Sequence, residues 1–135
     1  MTVADSAIAA ADLAAYEALA AIGWPVAGVH VYQHAPKNAP YPVVVVGDID
    51  GAQPIGRAGD PDMTMNVSVL ALTMGEERWP CAAILGTCVA ALDGQTIAVP
   101  GWAVSFALVA GSAVLAEDGL GYTGAAMFAA TALSA

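Results

Sequence analysis

Basic residues are almost missing from this sequence. Lys37, Arg57 and Arg78 stand against twelve acidic residues in 135, a formal net charge of -9 with the histidines neutral. Sequence-independent grip on DNA or RNA needs clustered cations to neutralise phosphates, so this balance argues against that function, and against docking to an anionic membrane surface. Charge of either sign is sparse at 11%, yet an apolar share of 59% is far above that of a disordered chain, so a packed core follows. The length suits one domain, 1–135. So few charges among so much Ala, Gly and Val describe the surface of an oligomer better than that of a free monomer.

Reactive groups are equally scarce. His30 and His34 are the only histidines, and no cysteine, serine or carboxylate stands beside them in a nucleophilic pattern. Asp48-Ile49-Asp50-Gly51 opens like a calcium loop but lacks the later ligands and the closing Glu, and Asp60-Pro61-Asp62 reads as a turn. Gly47, Gly51, Gly56 and Gly59 follow neither dinucleotide nor P-loop spacing, and Lys37 is not placed to serve a phosphate. Trp24, Trp79 and Trp102 are scattered and lack the basic neighbours that a base-stacking platform requires. Cys81 and Cys88 fall on one face of an expected helix, about 10 Å apart by helical rise, too far for a disulfide. They read as small buried apolar residues of a reducing compartment. No enzyme activity, cofactor or metal is expected.

One long uncharged run does occur, at positions 94–116, and it could cross a bilayer by length alone. Pro100, Gly101, Gly111 and Ser112 interrupt it, Asp93 and Glu117 flank it without a Lys or Arg anchor, and residues 102–108 alternate as a strand does. The opening MTVADSAIAAAD has no basic n-region and carries Asp5 and Asp12 where a signal peptide would be apolar.

The elements that remain are readable. Asp5 or Ser6 caps a helix to about Ile22, with Ile8, Ala15, Leu19 and Ile22 as its apolar stripe and Asp12 close beside it. Residues 29–33 form a short strand. Pro36, Pro40 and Pro42 then hold an extended arm without amide donors, and Pro42 opens a second strand to about Ile49, apolar on both faces and covered on each. Residues 51–62 read as a long loop, and 63–73 alternate as a half-buried strand, the two strands making a hairpin with a projecting tip. Glu76 and Glu77 precede a helix with Pro80 in its first turn and Cys81, Ile84, Leu85, Cys88 and Leu92 on its buried face, stopped by Asp93-Gly94. A strand at 102–108 follows, with 114–116 turning back on it around Ala110-Gly111-Ser112. Glu117-Asp118-Gly119 is a further turn, and the last segment admits either helix, by its alanines, or strand, by its Tyr, Phe and Thr. The expected fold is α+β, a mostly antiparallel sheet with two helices packed on one side and a long projecting β-hairpin loop.

This order of features, and above all PKNAPYPVVVV at 36–46, the alternating MTMNVSVLALT and the helix closing on Leu92-Asp93-Gly94, resembles the tail terminator, or tail-completion, proteins of long-tailed phages and phage-like gene transfer agents. The resemblance spans nearly the whole chain. It implies a non-enzymatic, head-tail joining virion protein, made in the bacterial cytoplasm and placed in the tail or neck. There a ring of six copies ends growth of the tail tube and meets the head-completion (stopper) protein. DNA would pass the lumen without specific binding, in keeping with the negative charge. His34, Lys37 and Asn38 on the arm, and Arg57, Asp60 and Asp62 on the long loop, are the candidates for subunit or tube contact. The other readings are a head-closure or adaptor subunit of the same neck, a small-molecule-binding or hydrolytic α+β domain, for which no convergent polar pocket is evident, and a small membrane protein.

Overall fold

A computed structural model of the protein describes residues 6–33, 40–56, 61–115 and 119–134. The chain runs α1 (Ala7–Ala20), β1 (His30–Tyr32), β2 (Val43–Pro54), β3 (Met63–Met74), α2 (Trp79–Leu92), β4 (Thr96–Val99), β5 (Trp102–Leu115) and β6 (Gly121–Ser134). The strands form one six-stranded sheet in the order β1-β2-β3-β6-β5-β4, antiparallel throughout except for β1 on β2. Both helices pack on it, α1 reaching across all six strands and α2 lying over β3, β6 and β5. The fold is therefore α+β, as composition and periodicity indicate.

Local chemistry accounts for the element ends. The Ser6 hydroxyl accepts a hydrogen bond from the Ala9 amide at 3.1 Å, satisfying one orphan donor of α1. Pro80 sits in the first turn of α2, where its missing amide costs nothing. In β3, Met65, Val67, Val69 and Ala71 are buried, while the residues between them point to the other side. Ile84, Leu85, Cys88 and Leu92 meet them from α2, and Leu19 with a row of alanines from α1. The helix-side core is completed by Val104, Phe106 and Phe128, the two rings meeting edge-on at 6.3 Å and 88°.

Several expectations change. The apolar stripe of α1 is carried by Ala7, Ala10, Ala11, Ala14, Ala15 and Leu19, and Ile8 faces outward, because small residues let the helix lie close to the sheet. β2 extends to Pro54, so the first four residues of the expected loop are strand and the connection to β3 is shorter. β2 is covered on both faces only at its start, where the neighbours Val43 and Val44 point to opposite sides and are 1% and 0% exposed; beyond Val46 it opens to solvent, and β1 flanks it only at Val43, Val44 and Val45. β4 went unrecognised before the turn at Pro100-Gly101. Gly111-Ser112 is no turn, since β5 passes straight through it. The last segment is strand, and it is central, paired along its length with β3 on one side and β5 on the other.

Candidate assembly surface

The register separates the sheet into two unlike faces. Residues directly opposite across antiparallel strands share a face. Ser68 opposite Met127 opposite Ala110, and Leu70 opposite Ala125 opposite Ser112, therefore lie together on the side away from the core residues. With Gly111 they line a shallow groove of about 250 Å³. None of these side chains is ionisable, so the groove offers shape and apolar contact but no acid, base or nucleophile. Among the described residues, no group of three or more His, Cys, Asp and Glu comes together to hold a metal.

Beyond α2, the β5–β6 hairpin carries much of the exposed apolar surface. Val109, Val114, Leu115 and Leu120 are each more than half exposed, and Leu108 and Met127 are partly so. A bulge between Leu108 and Ala110 marks where this arm leaves the helix-covered part of the sheet. Sequence reading missed this surface because Gly111-Ser112 reads as a turn. The available signal was the uninterrupted run of strand-forming residues on either side.

Of the six contact candidates, Asp62 alone lies within the described residues; His34, Lys37, Asn38, Arg57 and Asp60 lie outside them. Asp62 anchors the base of its loop. Its Oδ1 accepts from the Ser134 amide at 2.7 Å, and its carbonyl accepts from the Ile55 amide at 3.2 Å, tying the β2–β3 connection to the end of β6. Arg78 is the one cation among the described residues, and its guanidinium sits 5.2 Å from the centre of the Tyr122 ring. Asp12 is half-buried, and burial raises its carboxyl above the usual range, offset in part by a hydrogen bond from Gln33. Cys81 and Cys88 are free and fully buried, and burial pushes the Cys88 thiol up to about 12. No helix among the described residues is long and apolar enough to cross a membrane.

Neither a protein-family model nor a curated protein sequence matches this chain. Among solved structures, it is similar to a chain of the virion of a native gene transfer agent particle, with a TM-score of 0.77 and 17% identity over 90% of this chain and 92% of that one. At that identity the likeness concerns the fold, and it extends over nearly all of both chains.

Proposed function

We propose that this protein is a structural virion subunit of a gene transfer agent or long-tailed phage, acting as the tail terminator. Copies of it close a ring at the head-proximal end of the tail tube, stop tube polymerisation and present a surface to the head-completion protein. The observation that carries this reading is the shared fold over nine tenths of both chains with a gene transfer agent virion component. The PKNAPYPVVVV arm and the order of the elements support the terminator role within that class. So does a surface on which an uncharged groove and an apolar hairpin take the place of a catalytic cleft. Tube or subunit contact is assigned to the arm with His34, Lys37 and Asn38 and to the loop with Arg57 and Asp60, whose base Asp62 holds.

Electron microscopy of particles assembled without this protein tests the role. Tails of irregular or excessive length, unattached to heads, are the expected outcome. Uniform tails of normal length that fail only to join heads would refute the terminator role and indicate a head-closure subunit instead.

A further inference from the structure

The two lateral edges of the sheet are treated differently. On one side, β2 runs past its short partner β1 but is blunted: it bulges between Val46 and Ile49 and again between Asp50 and Gln53, carries exposed Asp48 and Asp50, and ends in Pro54. Those are the devices by which sheets avoid pairing with other chains. On the other side, β4 covers β5 only from Trp102 to Ser105, and the 93–95 segment adds hydrogen bonds at Phe106 and Leu108. From Val109 to Leu115 no described strand lies on the side of β5 away from β6, and this stretch holds no charge and no proline. The Phe106 backbone bonds outward, to Gln95 and Gly94. Strand alternation, shifted by the one extra residue of the bulge, turns the backbone groups of Gly111, Ala113 and Leu115 toward the open side.

We propose that this open edge pairs antiparallel with the same edge of a second copy, joining two six-stranded sheets into one. A second copy is the matching occupant because the edge is uncharged along its whole length and so meets an identical edge without repulsion. The opposite edge, being blunted, cannot serve as a head-to-tail complement, which leaves the two-fold arrangement. The half-exposed Val109, Val114, Leu115, Leu108 and Met127 side chains still offer roughly 300 Å² per copy, well under the ~800 Å² of a standard interface, so the pair is reversible. Because each copy carries a net charge of -9, added salt favours pairing instead of weakening it. The contact is complete at two copies and does not rest on the tail-terminator reading, since closing a ring requires a different surface.

Sedimentation equilibrium of the purified full chain across a concentration series tests this, with circular dichroism to confirm folding. The wild type is expected to pass from monomer to dimer. Ala113→Pro removes an outward amide while leaving the β5–β6 ladder intact. It weakens the dimer about 30-fold, for one edge hydrogen bond lost per copy. Val114→Asp sets like charges across the two-fold and also favours monomer, and it decides the matter should the proline variant fail to fold. A wild type that stays monomeric overturns the proposal, as does a dimer that survives both substitutions. So does a monomeric wild type whose Ala113→Pro variant loses uptake onto tail tubes, which would assign the edge to another protein.

Discussion

Phe128 and Met127 are neighbours on β6, and replacing each by alanine should have opposite consequences. Phe128 is 0% exposed and meets Phe106 edge-on beneath the helices, whereas Met127 is 40% exposed on the open face. Phe128→Ala removes a buried ring and leaves a cavity, at a cost of about 3–5 kcal/mol, to which the lost aromatic pair belongs. Set against a total stability of about 5–15 kcal/mol for a domain, that is a large share. At about 3–4 °C per kcal/mol for a chain of this size, it corresponds to a fall in Tm of about 9–20 °C. Met127→Ala gives up contact that is partly solvated already and costs about 1 kcal/mol or less. Differential scanning calorimetry at one fixed protein concentration, with urea unfolding alongside, measures both. If the two variants melt within about 3 °C of each other, or if Met127→Ala proves the worse, the strand register of β6 is wrong. A helix in this segment would set the two side chains only about 100° apart, and so would not divide them so sharply.

Gly121 tolerates no side chain, because an added Cβ would run into the Thr73 carbonyl oxygen; Gly121→Ala should lower stability by about 1–3 kcal/mol, while Gly111→Ala, with its nearest neighbour at 3.6 Å, changes Tm little. For Asp12, a carboxyl raised in the folded state contributes stability that is present below its unfolded pKa and lost as pH rises through the folded value. Asp12→Asn should therefore stabilise the protein at pH 7, with the advantage closing as the pH falls toward 4, read from urea midpoints across pH. Cys81 and Cys88, both 0% exposed with the Cys88 thiol raised to about 12, should resist a thiol reagent at pH 8 until denaturant is added. Prompt labelling of either in the native protein would refute their burial.

Periodicity revealed those parts of the fold whose burial is one-sided. β3 alternates because one face meets the helices and the other does not, and α2 repeats at helical spacing because one stripe is buried; both were readable. β4 is four residues at the edge, too short for a pattern to accumulate. β5 was cut in two because Gly111 and Ser112 are turn residues by habit, although both are strand here and line the open groove. The contact candidates rested on loop composition and family resemblance. Asp62 illustrates what composition cannot reveal, since its bond to the Ser134 amide joins residues 72 apart in sequence. The open β5 edge was hidden in the same way, because an edge is defined by the absence of a neighbour.

The last strand defeated propensity for a physical reason. β6 holds Gly124, Ala126, Ala130 and Ala132 on the side that faces the helices, residues that favour helix or no regular structure at all. Their size answers a packing demand. A Cβ on Gly124 would lie 3.0 Å from the Cys81 Sγ and 3.5 Å from the Leu85 Cδ1, so α2 rests almost on the backbone of β6. α1 meets the sheet with alanines from its own side, and the Cys81 thiol donates to the Ala71 carbonyl of β3 at 3.6 Å. Small residues on both layers bring helix and sheet together, and a strand flanked along its whole length by two others needs little intrinsic preference of its own. Beyond Leu108, β5 carries neither a charge nor a proline to guard its edge. The composition that conceals a central strand thus also leaves open, among the described residues, the β5 edge proposed to pair with a second copy.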